Sequence, residues 1–203
     1  MSEHERSYHH GHLRIAVLEH AEAMLEESGV ESLSLREVAR RAGVSNAAPR
    51  RHFPDKRALL TALAERGYEQ LEGEINAVLA TAPDGFTERL TAFAQAYVEF
   101  GARHPSLLEL MMGAKYWPDA EHLRVANHRA FAGPIALLEQ AAAAGEIDGD
   151  DPERVNTAVL AVLQGLVVLA TSGLAGPRPI GESVASTIST LVNGLGRRER
   201  PVA

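Results

Sequence analysis

The segment 35–53 constrains the fold of this chain more than any other, because it combines an amphipathic helix, a turn and the start of a second helix. Gly43 stands at the expected helix exit, where a left-handed conformation costs glycine nothing sterically. Ser45 is expected to cap the second helix through its side-chain oxygen. The segment therefore predicts a helix-turn-helix, for which DNA binding is the leading function. The apolar face of the first helix recurs at i, i+3, i+4 and i+7 and consists of Leu35, Val38, Ala39 and Ala42.

The charge of the chain is distributed unevenly. The whole chain carries a net charge of -7, which argues against a general polyanion binder. The segment from Arg36 to Arg57, however, contains seven cations and only two acidic residues, Glu37 and Asp55. An exposed charged face is the alternative interpretation, but the coincidence with the turn glycine favours a DNA-binding head. The seven cations are Arg36, Arg40, Arg41, Arg50, Arg51, Lys56 and Arg57.

Composition excludes several classes of function. With no cysteine, the chain has no disulfide, no thiolate metal site and no cysteine nucleophile. The first ten residues are polar and lack the apolar core of a signal peptide. The apolar stretch 158–170 is interrupted by Gln164-Gly165, and we expect it to be too short to span a bilayer. These features predict a cytoplasmic protein that uses no membrane, metal or cofactor.

Helical periodicity continues along the whole chain, and no sustained alternation or hairpin signal indicates a strand. The fold class is therefore all-α. We expect an N-terminal helix-turn-helix domain over 1–54 and a larger helical ligand-binding and dimerisation domain over 55–203. Expected helices lie at about 12–27, 55–80, 86–103, 105–112, 119–144, 152–171 and 181–196, in addition to the pair within 35–53, and Gly133-Pro134 is expected to kink or split the helix at 119–144.

The expected helix 152–171 is apolar on every side between Ala158 and Ala170, except at Gln164 and Gly165. A helix that is apolar all round must be buried all round. Its own domain can cover one side, and a second subunit can cover the other, so that two helices from each subunit form a symmetric four-helix interface. An ordinary monomeric core is the alternative. The residues expected at the interface are Val159, Leu166, Ile188, Leu191 and Leu195.

Two stretches carry a resemblance to a known family. They are SLSLREVARRAGVS at 32–45 and RHFPDKRALL at 51–60. Together, the turn glycine, the spacing, the His-Phe pair and the Lys56-to-Leu60 helix entry resemble the N-terminal domain of tetracycline-repressor (TetR) family transcriptional regulators. The resemblance implies an all-α homodimer whose head binds operator DNA and whose body holds a small molecule that releases the DNA.

The body resembles the TetR subgroup whose C-terminal domain is named for a Trp-His-Gly motif. The resemblance lies in Tyr97 with Phe100, His104-Pro105 and the segment 107–111. Gln164-Gly165 aligns with the last two positions of the motif, so glutamine replaces its histidine.

The second helix of the pair departs from the usual family pattern, which commonly has Leu-Tyr where this chain has Pro49-Arg50. Proline is tolerated in a first turn, where amides have no intrahelical partner. Arg50 can grip guanine O6 and N7, or it can bind a phosphate. The residues expected to read bases are Asn46, Ala47, Ala48 and Arg50, and those expected to bind phosphates are Ser34, Arg36, Arg51, His52 and Lys56.

The N-terminal arm is rich in histidine, which is a common metal ligand. No cysteine or carboxylate accompanies these histidines at a fixed spacing. A metal site, an arm that contacts DNA, and an inert tail are the three interpretations, of which the metal site is the least favoured. The residues concerned are His4, His9, His10 and His12, beside Arg6.

A ligand pocket requires an apolar wall and a few polar groups. Because aromatic residues make up only 5% of the chain, we expect a mainly aliphatic pocket and an apolar effector. Each candidate residue can equally be ordinary core. The candidates are Phe93, Tyr97, Met111, Trp117, Phe131, Leu160 and Gln164.

Two other functional classes compete with this interpretation. The sequence contains no glycine-rich phosphate loop, GxSxG or HExxH motif, which argues against an enzyme. A constitutive or architectural DNA-binding protein would share the head, but it would not need so large a body.

Overall fold

A computed structural model describes residues 3–147, 151–174 and 179–195, with side chains from residue 13 to residue 194. Every regular element in these ranges is a helix, in agreement with the expected all-α fold. The helices are α1 (Glu3–Ser32), α2 (Leu35–Arg41), α3 (Ala47–Arg50), α4 (Lys56–Thr81), α5 (Phe86–Arg103), α6 (Pro105–Ala114), α7 (Glu121–Ala144), α8 (Pro152–Ser172) and α9 (Ile180–Leu195).

Local capping explains where α4 and α8 begin. The Asp55 carboxylate accepts a hydrogen bond from the Ala58 amide at 2.8 Å and starts α4. Asp151 accepts from the Arg154 amide at 3.0 Å and starts α8, whose first residue is Pro152. The negative charge of both carboxylates also interacts favourably with the positive, N-terminal end of the helix dipole. The expected bounds of α4, α5, α6, α8 and α9 agree with the structure to within two residues.

Two helices differ from expectation. The backbone of α1 is helical from Glu3, whereas the expected helix began at about residue 12. The backbone of the histidine-rich arm is therefore part of α1. The side chains of the arm lie outside the described residues. The expected end of this helix near residue 27 corresponds to a break in the backbone of α1, because Gly29 adopts φ 74° and ψ 173° there. Pro134 lies inside α7 without splitting it.

The chain divides into two compact units. The first unit comprises Met1–Glu69 and His104–Asn127, and the second comprises Gln70–Arg103 and His128–Ala203. Residues 56–69 of α4 belong to the first unit, and its remaining residues belong to the second. The division at 54/55 stays a prediction of where a DNA-binding domain ends.

In the first unit, α6 is attached to α1 and α4 by hydrogen bonds. The Glu26 carboxylate on α1 accepts from the amides of Ser106 at 3.0 Å and Leu107 at 2.9 Å, and so caps the start of α6. The Tyr68 hydroxyl on α4 donates to the carbonyl of Met111 at 2.8 Å. The helix-turn-helix and α6 are thus parts of the same unit. Its core includes Val17, Leu25, Val38, Phe53, Leu59 and Leu63.

Two glycines of α4 test how tightly α6 packs. A Cβ at Gly67 would lie 2.5 Å from Met111 Sδ, whereas a Cβ at Gly73 would meet nothing within 4 Å. Both changes to alanine favour the helix, but Gly67→Ala also overpacks the core, so we expect it to be less stable than Gly73→Ala by about 1–3 kcal/mol. Urea unfolding of the two variants measures the difference. Equal midpoints and slopes would mean that α6 does not pack closely at Gly67.

In the second unit, α5 is the central helix and packs against α8 and α9. Its buried side is broad and aromatic, which explains why two helices can cover it. The buried residues of α5 are Phe86, Leu90, Phe93, Ala94, Ala96, Tyr97, Val98, Phe100 and Gly101.

The helix α8 has two different apolar faces. It has 21 residues, and a stretch of 18 of them has a mean hydropathy of 1.8, so by length and composition alone it is sufficient to cross a membrane. The apolar run 158–170 is thus part of a longer helix, and the expectation that this run is too short to span a bilayer stays a prediction. One face is buried in the second unit through Val155, Val159, Leu163, Leu166 and Val167, while Leu160, Val168 and Leu169 are exposed.

Burial corrects the expected dimer interface. Val159, Leu166 and Ile188 are almost completely buried by the chain itself, so their side chains have little surface left for a second subunit. Leu191 is half-buried, and the side chain of Leu195 lies outside the described residues. Periodicity identified the apolar helix but did not show which of its faces the chain covers.

Candidate nucleic-acid interface

The turn between α2 and α3 has the geometry that its sequence predicts. Gly43 adopts φ +66°. Its amide donates to the Arg40 carbonyl at 3.3 Å, and the Val44 amide donates to the Ala39 carbonyl at 3.0 Å. These two bonds form a Schellman motif, which ends α2 and redirects the chain. The other end of α2 is capped by Ser34, whose hydroxyl oxygen accepts from the Glu37 amide at 3.2 Å.

The start of α3 corrects the expected capping. Ser45 accepts from the Ala48 amide through its main-chain carbonyl, at 2.9 Å. The residue at the N-cap position is Asn46, and its side chain makes no capping bond. The expected Ser45 side-chain cap is wrong because α3 begins one residue later and opens with a backbone turn. The side-chain amide of Asn46 therefore makes no hydrogen bond that caps the helix.

Pro49 sits third in α3 and is buried. A proline there removes an amide that has no intrahelical partner, so its cost is small. Its carbonyl accepts from the amides of His52 at 3.0 Å and Phe53 at 2.8 Å, which closes the segment. Phe53 is buried in the first unit, with the Arg14 guanidinium carbon 5.6 Å from its ring centroid. These contacts anchor α3 from its C-terminal side.

The predicted base-reading residues lie together on this short segment. Asn46, Ala47 and Arg50 are exposed, and Ala48 is half-buried. An exposed amide, a methyl group and a guanidinium within five residues are suited to reading base edges in a major groove.

Two of the seven clustered cations are held by carboxylates. Arg40 Nε donates to Glu37 Oε2 at 2.9 Å, and Arg41 donates to Glu27 at 2.5 Å. Hydrogen bonds from these arginines hold the pKa of Glu37 and of Glu27 below the usual carboxyl value. The charge of both arginines is therefore partly compensated before any DNA binds.

Two further cations contact other groups of the first unit. Lys56 Nζ donates to the Glu31 carbonyl at 3.2 Å. The Arg57 guanidinium carbon lies 3.7 Å from the ring centroid of Trp117. Sequence reasoning missed both contacts, because their partners are far along the chain.

The remaining cations, Arg36, Arg50 and Arg51, are exposed and form no ion pair within the part of the chain that the structure describes. Among the other predicted phosphate contacts, Ser34 already caps α2, and its hydroxyl proton stays available as a donor. His52 is half-buried, with its ring 6.3 Å from that of Phe53. Because Arg40 and Arg41 are paired with carboxylates, the positive charge available to DNA is smaller than the count of seven cations suggests.

The predicted ligand residues fall into two groups. Phe93, Tyr97 and Phe131 form an aromatic cluster in the second unit, with ring centroids 6.0–6.3 Å apart. Gln164 Nε2 donates to the Tyr97 hydroxyl at 2.9 Å, and burial raises the pKa of that hydroxyl. Leu160 is 40% exposed on α8. The other two candidates, Met111 and Trp117, belong to the first unit.

A cavity that sequence reasoning did not predict lies in the second unit, where the end of α7 meets the start of α8. Its volume is about 340 Å³. No periodic signal marks such a site, because its residues come from two helices and their connection. It is lined mainly by Ile135, Leu138, Ala142, Ile147, Pro152 and Val155.

Comparison with known proteins gives consistent results along the chain. Residues 17–63 match the family described as bacterial regulatory proteins, tetR family. Residues 90–191 match the tetracyclin repressor-like C-terminal domain. The first region contains the helix-turn-helix, and the second contains the aromatic cluster.

Individual relatives agree with these matches. The nucleoid occlusion factor SlmA of Vibrio vulnificus (strain YJ016) is 33% identical over 112 residues, and the match spans 55% of this chain but only 57% of that relative. A protein of unknown function from Rhodococcus sp. RHA1 is 38% identical, with a TM-score of 0.82 over 91% of this chain and 96% of that one. The fold is also that of the TetR family transcriptional regulator PfmR from Thermus thermophilus, which is 22% identical, with a TM-score of 0.69 over 89% and 99% of the two chains.

Proposed function

The chain belongs to the tetR family of bacterial regulatory proteins, and we propose that it is a cytoplasmic transcriptional repressor that binds a palindromic operator as a homodimer and is released by a small, mainly apolar molecule. The observation that carries the proposal is the exposed side of α3 and of its N-cap, where the side chains of Asn46 and Arg50 form no hydrogen bond or ion pair within the described part of the chain. Selection of duplexes from a random-sequence pool tests it. An enriched inverted repeat is expected, and no enrichment over bulk DNA would refute it.

In the proposed complex, α3 enters the major groove with its exposed side toward the bases. Asn46 is suited to pair with adenine, and Arg50 to grip guanine O6 and N7. The methyl groups of Ala47 and Ala48 can contact the thymine methyl group. Arg36 and Arg51 are assigned to phosphates, which set register and salt dependence.

Two neighbouring arginines separate base reading from phosphate binding. Arg50→Ala is expected to cost about 1–3 kcal/mol at one base-pair position and to relax the preference there. Arg51→Ala is expected to weaken binding to all sequences alike and to lower the slope of affinity against salt by about one unit. Titration of both variants against the selected duplex and its single-base variants measures this. If Arg50→Ala weakens every duplex equally, Arg50 is a phosphate contact.

The proposed dimer uses the outer face of α8 together with α9. The three exposed apolar residues Leu160, Val168 and Leu169 support this assignment, because they lie on the helix whose other face is already buried. A second copy of α8 and α9 would give the symmetric four-helix contact expected from the sequence. A covered outer face would also explain the high mean hydropathy of α8 in a DNA-binding protein.

The proposed effector site is the aromatic cluster of Phe93, Tyr97 and Phe131. Its rings offer an apolar wall, and the Tyr97-Gln164 pair offers the polar group that orients a ligand. Membership of the Trp-His-Gly-type subgroup stays a prediction.

A regulator without a small-molecule inducer is the second candidate. The match to SlmA favours it, since that relative is named for nucleoid occlusion. The two candidates differ in one measurable property: only an induced repressor loses operator affinity when a ligand occupies the second unit.

A further inference from the structure

We propose that Arg57 is a DNA-phosphate contact and that Trp117 is the positioning residue that orients it, an inference that rests on the proposed function. Arg57 is the second residue of α4. A short connection, residues 51–55, joins α3 to α4. Trp117 lies between α6 and α7, sixty positions further along the chain. The contact therefore ties the α6–α7 connection to the edge of the DNA-binding surface.

The geometry of the stack leaves the arginine able to bind a phosphate. The guanidinium carbon lies 3.7 Å from the Trp117 ring centroid, and tryptophan is the best aromatic partner for a cation. A stacked guanidinium has its flat face covered, while its N–H donors stay in its own plane. Arg57 is exposed and makes no hydrogen bond or ion pair within the described part of the chain, so these donors are unused.

Trp117 is half-buried, and the backbone on both sides of it is hydrogen-bonded. The Trp117 amide donates to the Ala114 carbonyl at 3.0 Å, and the Ala120 amide donates to the Trp117 carbonyl at 3.3 Å. Asp119 adopts φ 60°, which aspartate tolerates better than most residues. Trp117 is therefore a fixed platform on which a long, flexible arginine side chain loses little further entropy when it binds a phosphate.

The difference from neighbouring cations supports the assignment. Arg40 and Arg41 are bound to carboxylates, which compete with phosphate for the same donors. Trp117 covers Arg57 without using any of its donors, so an oriented cation is available to DNA. Arg57 therefore joins Arg36, Arg50 and Arg51 as a cation of the DNA-binding surface.

The test is a thermodynamic cycle on a duplex selected from a random pool by the wild-type protein. Arg57→Gln is expected to reduce the slope of log affinity against log salt by about one unit. Trp117→Leu is expected to weaken binding about two- to fivefold, the effect of an exposed cation–π contact. The double variant is expected to bind as Arg57→Gln does, because Trp117 acts only through Arg57.

Conservative variants and a spectroscopic readout complete the test. Trp117→Phe keeps a ring face and is expected to bind within about twofold of wild type. Arg57→Lys keeps the charge but loses the planar stack, so it is expected to bind DNA more weakly with an unchanged slope of log affinity against log salt. This variant tests the stack independently if Trp117→Leu does not fold. Trp117 is the single tryptophan of the chain, so DNA binding is expected to change its emission in wild type and less so in Arg57→Gln. Arg129→Gln, which removes an arginine paired with Glu72 in the second unit, is the charge-matched control.

Each contrary outcome identifies what has failed. If Arg57→Gln leaves the salt slope unchanged, Arg57 does not bind a phosphate. If Arg57→Lys binds like wild type, or if Trp117→Leu weakens binding equally in the Arg57→Gln background, Trp117 does not position Arg57. If the wild type selects no duplex, the proposed function fails and this inference fails with it.

Discussion

Val168→Glu is expected to convert the homodimer into a monomer and to weaken binding to the two-half-site operator by at least about a hundredfold. The side chain is 57% exposed in the chain, so a carboxylate there leaves the fold intact. In the proposed dimer, however, the same carboxylate would be buried without a partner. Loss of the second recognition helix then removes the avidity of linked half-sites, which is worth about 10²–10⁴ in affinity.

Leu166→Glu provides the matched control for this prediction. Leu166 lies on the same helix but is only 3% exposed, so a charge there is expected to unfold the second unit and not merely to dissociate it. Mass measurement at micromolar concentration and circular dichroism separate the two outcomes. A wild-type mass of 21.8 kDa, that of one chain, would refute the dimer, and a dimeric Val168→Glu would refute this face as the interface.

The second large effect is expected from the effector itself. A nearly complete release of operator requires that the ligand prefer the non-operator conformation by about 5.5 kcal/mol, or about 10⁴-fold. Linkage then demands reciprocity: operator DNA must weaken ligand affinity by the same factor by which the ligand weakens operator affinity.

The helix α4 is the element through which we expect this coupling to act. It has 26 residues and a length of about 39 Å, and it contributes residues to both units. A ligand that displaces its half near Leu71 and Ile75, both buried, would move the end that begins next to α3. Two recognition helices must lie about 34–36 Å apart to meet successive major grooves, so a small displacement is sufficient to prevent binding.

Titration of a candidate apolar ligand, with and without the selected duplex, measures this reciprocity. Tyr97→Phe removes the hydroxyl that Gln164 contacts, and it is expected to change ligand affinity while leaving DNA affinity unaltered in the absence of ligand. Equal ligand affinities with and without DNA would mean that this ligand does not regulate binding, and would favour a regulator without an inducer.

Local patterns predicted much of the molecule because their physical causes are local. Gly43 allows the turn between α2 and α3 whatever surrounds it, since only its own backbone conformation is involved. Asp55 and Asp151 start their helices by binding amides three residues away. The all-helical architecture follows equally from short-range spacing.

The sequence by itself thus determined the helices, the turn and the family, whereas the tertiary structure decided which side chains are free to act. Seven clustered cations look alike in the sequence, yet Arg41 is bound by Glu27 and Arg57 lies on Trp117, while Arg50 stays free. Likewise, the middle of α8 looked apolar on every side, but only the packing of α5 and α9 shows that Leu166 is buried and Val168 is exposed. Pairing and burial depend on contacts between distant segments, and local periodicity carries no information about which segments meet.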